Sequence, residues 1–263
     1  MRTLFVLCLF ITLLLAVTGC AKLNPLNPKP LMEDNTDIDK YIDNYKILII
    51  TENQYSLNYS DNIISALTPI SDSITISVIY TADKQTILSD LDNISSYKLL
   101  LIEEPTASLT DIEYMNLAQY ARTGGSVIMT ANSFSHDAQS DSYCAQLFGL
   151  KNFSRQQYHT GNFSCSSVDD SVLNGPSGEF AGVTISGISY NQYKVQPDTM
   201  TGAVMSVYFT NQNRQYVKVS YYYQGDGVCM FWNGQYYLYD WWEDSYEINK
   251  IFKNTVSWIM NDR

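Results

Sequence analysis

The chain has 263 residues, with 27 acidic against 16 basic side chains and a formal charge of −11. A surface this acidic repels phosphate backbones and anionic headgroups, and no basic stretch offsets it, so nucleic acid is excluded as a partner. Two histidines and five cysteines leave little material for metal or thiol chemistry.

The first residues read as an export signal. Arg2 gives a positive start, Leu4 to Val17 form an almost unbroken apolar run, and small residues precede a cysteine in Val17-Thr18-Gly19-Cys20. The run is about 14 residues, short of the roughly 20 that span a bilayer. Val17 through Cys20, with Ala16 before them, resembles the lipobox of bacterial lipoproteins. The resemblance implies a signal peptide over 1–19 and lipid on Cys20, which makes the membrane a partner outside the cytoplasm. Several acyl chains anchor stably where one binds marginally. Ala21 stands where Gram-negative sorting uses a retention aspartate, so in such a host the expected place is the outer membrane, facing the periplasm. Loss of Arg2 with the signal takes the charge from −11 to −12.

Residues 20–44 read as the lipidated cysteine and a flexible tether. Pro25, Pro28 and Pro30 alternate with polar residues, and Glu33-Asp34-Asn35-Thr36-Asp37 follows; such a segment stays extended and builds no core. A single folded domain is expected over 45–263.

That domain opens with Tyr45-Lys46-Ile47-Leu48-Ile49-Ile50, an apolar run of the kind a strand covered on both faces requires. A helix is expected from Ser60 to Leu67. Ile74 to Ile79 is β-branched and strand-like, and Asp83 can cap a helix through about Leu91. Tyr97 to Ile102 is a third buried strand, stopped by Glu103-Glu104-Pro105. Thr110 with Glu113 forms a capping box for a helix to Arg122, ended by Gly124-Gly125. Ser126 to Thr130 is the fourth strand. Strands alternating with helices through short loops imply a parallel sheet.

Beyond Asp137 the pattern changes. A short helix is expected at Tyr143 to Leu147. Residues 151–242 are rich in Tyr, Asn, Gln, Ser and Gly, with strand runs at 183–188, 203–209, 216–223 and 228–232. Turn signals such as Asn233-Gly234 suggest antiparallel additions or hairpins. A helix from about Tyr246 to Met260 closes the chain. Cys144 and Cys165 either form a disulfide, closing a loop of about 20 residues for roughly 3 kcal/mol, or join Cys229 as buried thiols. The sequons at Asn58, Asn93, Asn152 and Asn162 read as accidents of composition.

The order of these elements, with Tyr97–Ile102, Gly124-Gly125-Ser126-Val127-Ile128-Met129 and Leu147-Phe148-Gly149-Leu150, resembles the class I glutamine amidotransferase-like superfamily. Asn254-Thr255-Val256-Ser257-Trp258-Ile259 resembles the ends of its non-amidotransferase members, including trehalose-utilisation-like proteins. The fold this implies is flavodoxin-like: α/β, a doubly wound, mostly parallel sheet, with antiparallel β additions in the C-terminal half. In the catalytic members a cysteine nucleophile sits on the turn after the strand that here is Ser126–Thr130, and a histidine comes much later. Here that turn reads Ala131-Asn132-Ser133-Phe134, and no histidine follows His159. The Cys–His pair of thiolate chemistry is missing, and Ser133 lacks the glycines of a nucleophile elbow.

Ligands of open α/β sheets bind outside the carboxyl ends of the strands. Glu52 follows the first strand, Glu103 and Glu104 the third, and Asn132 and His136 the fourth; these are candidate ligand-binding residues. Trp241 and Trp242, among the tyrosines of 236–239, are a second candidate surface, because ring faces suit sugars and protein partners. No cofactor is expected, since Thr51-Glu52-Asn53-Gln54-Tyr55 is no phosphate loop. No metal is expected either, for want of an HExxH, paired CxxC or EF-hand pattern. The resulting expectation is an envelope lipoprotein with a non-catalytic domain that binds a carbohydrate or an envelope protein. The alternative is a hydrolase of carbohydrate or cell-wall material, working through Glu52, Glu103 and Asp240 or Glu243.

Overall fold

The computed structural model describes residues 45–51, 74–80, 87–102, 109–130, 138–156, 159–168, 170–189, 192–233 and 246–261. All of them fall within one compact unit, Asp43–Arg263. The expected helix at 60–67, the Asp83 cap, the leader and the tether lie outside the described residues.

Five strands make the parallel half of the main sheet: β1 (Tyr45–Thr51), β2 (Ile74–Tyr80), β3 (Leu99–Ile102), β4 (Ser126–Thr130) and β13 (Gly227–Trp232), in the order β2-β1-β3-β4-β13. β1 and β13 have no charge after Lys46, and β3 and β4 carry none at all, so each can be buried on both faces. Four further strands continue the sheet antiparallel beyond β13: β12 (Arg214–Gln224), β11 (Val204–Asn211), β6 (His159–Cys165) and β9 (Thr184–Ser189). The protein is therefore mixed α/β, with one nine-stranded sheet whose antiparallel part comes from the C-terminal half of the chain.

Two cores lie on opposite faces of this sheet, as the alternation of Ile47 and Ile49 against Leu48 and Ile50 requires. Helices α1 (Leu91–Ile94), α2 (Asp111–Arg122) and α3 (Ala138–Phe148) cover one face. Helix α4 (Tyr246–Asn261) covers the other through Ile248, Ile251, Phe252, Val256 and Ile259, a stripe at helical spacing. A separate ribbon of β5 (Leu150–Gln156) and β10 (Gln192–Pro197) adds Leu150 and Val195 to the first face. A small hairpin of β7 (Asn174–Gly175) and β8 (Gly178–Glu179) is tied to α4 by Asn254.

Several expectations are refined. The capping box at Thr110 and Glu113 is formed in both directions. The helix before β3 is capped by Asp90, whose carboxylate accepts from the Asp92 amide. α3 is longer than 143–147. Asn233-Gly234 does not turn a hairpin between the described strands: Asn233 is the first residue after β13, which is the last described strand in the chain. The β12–β13 turn is Gly225-Asp226, with Gly225 at φ +63°, and the β11–β12 turn is Gln212-Asn213, both at positive φ as a type I′ turn demands.

The disulfide alternative is overturned. Cys144, Cys165 and Cys229 are all free and buried. Cys144 lies in the core under α1–α3, whereas Cys165 lies in the core under α4, so the sheet separates them. A disulfide needs Cα atoms about 4.4–6.8 Å apart, and no side-chain rotation carries a thiol through a packed sheet.

Candidate functional site

All five parallel strands end at one edge. Thr51 is level with Tyr80, Ile50 with Ile102, Ile102 with Met129, and Thr130 with Trp232. The strand order changes direction between β1 and β3, the kind of point where open α/β sheets bind ligands. Glu52 is the next residue after β1 and Glu103-Glu104 the next two after β3; Asn132 and His136 follow β4. These residues lie outside the described residues, as do Cys20, Asp240, Trp241, Trp242 and Glu243. The last residues of β1, β3 and β4, at Thr51, Ile102 and Thr130, are those of neighbouring strands. His159 starts β6, the eighth of the nine strands; because β6 runs antiparallel to the parallel strands, its start lies toward the same end of the sheet but three strands beyond β13. Among the described residues, no three His, Cys, Asp or Glu side chains come together as metal ligands would.

What the described residues do show at this edge is a buried polar clasp. Two β-bulges face each other across β11 and β12: the pairing runs Met205–Ser220, Val207–Val219 and Tyr208–Val217, leaving Ser206 extra on one strand and Lys218 on the other. Bulges redirect side chains and break the two-residue period. Accordingly, Val217 packs in one core and Val219 in the other, and both bulged residues, Ser206 and Lys218, are fully buried. The Lys218 ammonium lies 5.0 Å from the centroid of the Phe163 ring, a cation–π contact, and donates to the Asn233 carbonyl at 2.7 Å. Asn233 donates in return, through its backbone amide to Lys218 O at 2.8 Å and through Nδ2 to Val217 O at 2.7 Å. Burial lowers the pKa of Lys218 to about 7, because a desolvated ammonium is costly. Ser206 Oγ donates to Asp170 Oδ2 at 3.1 Å, and Asp170 Oδ1 accepts the Leu173 amide.

The thiols are chemically quiet. Burial first, and the Asp170 charge second, push Cys165 up to about 12. Burial pushes Cys229 well above the usual thiol range. Neither is a thiolate at neutral pH, and the thiolate is the nucleophile. Neither Lys218 nor Ser206 stands out in the sequence, since a lysine at alternate spacing in a strand reads as solvent-facing. The signal that existed was its setting, Tyr216-Val217-Lys218-Val219, where apolar neighbours crowd a single charge.

No family model matches the chain, and no curated protein matches it. Solved structures do. A cytoplasmic protein of Salmonella typhimurium LT2 matches at TM-score 0.58 and 11% identity, over 81% of this chain and 99% of that one. A putative ThuA-like protein of Bacteroides uniformis matches at 0.55 and 12%, over 82% and 91%. The N-terminal domain named mmIFT52 matches at 0.56 and 14%, over 82% and 97%. At such identities the likeness concerns the fold alone. It places the protein beside ThuA-like structures.

Proposed function

We propose that the protein is a membrane-anchored envelope lipoprotein, held by lipid on Cys20, whose amidotransferase-like domain binds a ligand or protein partner and catalyses nothing. We further read the fold as flavodoxin-like. The order β2-β1-β3-β4-β13 supports this, being the 2-1-3-4-5 order of that fold with β13 as the fifth strand. The observation that carries the non-catalytic reading is the position of the thiols. The turn after β4 begins Ala131-Asn132, and every described cysteine is buried in a core instead. The candidate ligand site in this reading is formed by the residues that follow the parallel strands in sequence, Glu52, Glu103, Glu104, Asn132 and His136, with Trp241 and Trp242 as a second candidate surface. The partner is a carbohydrate or an envelope protein. In a Gram-negative host the protein faces the periplasm from the outer membrane.

Two measurements test this. Growth with an alkyne fatty acid should label the wild type and leave Cys20→Ser unlabelled and released from membranes; equal labelling would refute the anchor. Thermal unfolding of the full-length protein in detergent should then be followed with peptidoglycan fragments, neutral sugars, and Ca²⁺ or Mg²⁺. A ligand at about 100 times its Kd adds roughly 2.7 kcal/mol. A shift that Glu103→Gln or Trp241→Ala abolishes supports the edge site. Hydrolysis of a bound fragment would replace this reading with the carboxylate hydrolase. No shift, and no cross-linked envelope protein, would sink the binding role.

A further inference from the structure

The nine-stranded sheet ends on β9, and that end lacks the devices by which monomers close an edge. Natural edge strands are kept apart by charge, proline, a bulge or a covering loop. Gly182 to Ser189 reads Gly-Val-Thr-Ile-Ser-Gly-Ile-Ser, with no charge and no proline. Its pairing with β6 runs without a shift from Ser164–Thr184 to His159–Ser189. The Val183 carbonyl accepts the Cys165 amide at 2.8 Å, so residues 183, 185 and 187 turn their backbone groups toward β6. The N–H and C=O of Thr184, Ser186 and Ile188 therefore point outward, and among the described residues they have no partner. Thr184 and Ser186 are exposed, while Ile185 anchors the strand in the core under α4. Two exposed apolar side chains stand beside this edge. Val183 is 39% exposed, and Val168, 60% exposed, is two residues from Ser166, whose carbonyl accepts the Gly182 amide.

We infer that β9 is an interface for a second copy of this chain, the two β9 strands pairing antiparallel about a two-fold axis at Ser186. The outward positions 184, 186 and 188 are spaced evenly about that residue. A two-fold axis there sets Ser186 against Ser186 and Thr184 against Ile188 of the second copy, each pair exchanging its backbone hydrogen bonds with none left over. Charge favours the same occupant. At −11 each, two copies repel over most of their surfaces, and an uncharged edge is where they approach at least cost. An interface this short makes the dimer reversible.

The full-length protein in detergent is followed by sedimentation across a concentration series, with the bound detergent subtracted. The wild type should pass from one to two copies per particle. Ser186→Lys sets two ammonium groups face to face, and Ser186→Pro removes an outward N–H without touching the β6 pairing. Each should raise the dimer dissociation constant about 10-fold or more, with the melting temperature unchanged where the wild type is single. The lysine takes each chain from −11 to −10 (−11 + 1), so its weaker pairing does not come from greater overall repulsion. Under mild oxidation Ser186→Cys should form a linked dimer well above the wild-type background. Thr75→Cys, exposed on β2 at the other end of the sheet, should not. A wild type that stays monomeric up to its solubility limit overturns the inference. So does a dimer that Ser186→Lys leaves intact, or one that Thr75→Cys links as readily as Ser186→Cys.

Discussion

Asn254 offers the sharpest test of how the C-terminal helix is seated. Its side chain is fully buried on α4 and holds the β7–β8 hairpin from one point. Oδ1 accepts the Ser177 amide at 2.8 Å, and Nδ2 donates to Gly178 O at 2.9 Å and, more weakly, to Leu173 O at 3.4 Å. Leu173 O keeps the Phe180 amide in any variant. Asn254→Ala therefore strands two groups, Ser177 N–H and Gly178 O. Each costs about 1–3 kcal/mol when left unpaired, and the partial burial of both bonds argues for the lower half of that range. Alanine returns roughly 0.5 kcal/mol of helix propensity. The net loss is then about 2–3 kcal/mol, or roughly 5–10 °C in Tm for a domain of this size. The assay is equilibrium denaturation of the full-length protein, reading the midpoint at constant slope. Asn254→Asp should lose at least as much, because it sets a carboxylate against the carbonyl of Gly178. A loss below about 0.5 kcal/mol for alanine would show that water satisfies these groups and that the hairpin is not pinned by Asn254.

Three more expectations follow from other parts of the molecule. In Gly227→Ala the new Cβ would lie 1.9 Å from Gly125 O and 2.3 Å from Ala121 O, both backbone atoms, so the β12–β13 turn must part from α2. A loss above about 2 kcal/mol or an insoluble product is expected, and wild-type stability would refute the packing. Between about pH 7 and the ordinary lysine value of 10.5, the unfolded chain holds a proton at residue 218 that the folded chain lacks. Stability of the wild type relative to Lys218→Met should therefore rise with pH across that window, by up to about 1.4 kcal/mol per unit, and parallel pH profiles would refute the lowered pKa. Non-reducing peptide maps should contain no Cys144–Cys165 peptide, and Cys165 should resist alkylation up to about pH 10 while folded; its cause is burial followed by the Asp170 charge.

The parallel half was legible because its strands carry their own explanation. Ile47–Ile50, Leu99–Ile102 and Val127–Met129 are apolar at every position, which only a doubly covered strand explains. The box at Thr110 and Glu113 was legible for a local reason, since both hydrogen bonds close within one turn. β5, β6 and β10 were not legible. Leu150-Lys151-Asn152-Phe153-Ser154-Arg155-Gln156 has neither alternation nor β-branching, and it is a strand because β10 pairs with it. The cysteine pair misled because sequence separation measures loop length and says nothing about which face of a sheet a residue occupies. At the candidate site, topology alone was readable: acids follow the strand ends, and the strands do end together. The clasp was hidden because a bulge moves its residue out of the phase that every pattern argument assumes.

The sheet's construction also dictates an order of assembly. β4 pairs with β13, yet Val127 and its partner Cys229 are about a hundred residues apart, and the chain between them supplies the four outer strands. A polypeptide arriving N-terminus first can join β1 to β3 early, but β4 must wait with an open edge until nearly the whole chain has emerged. α4, which covers the other core, comes later still. The unfinished molecule thus exposes the edge of an uncharged strand while about a hundred further residues are made. Cells making this protein should depend on holding factors during that interval, and truncation shortly before β13 should give aggregates and not a smaller soluble domain.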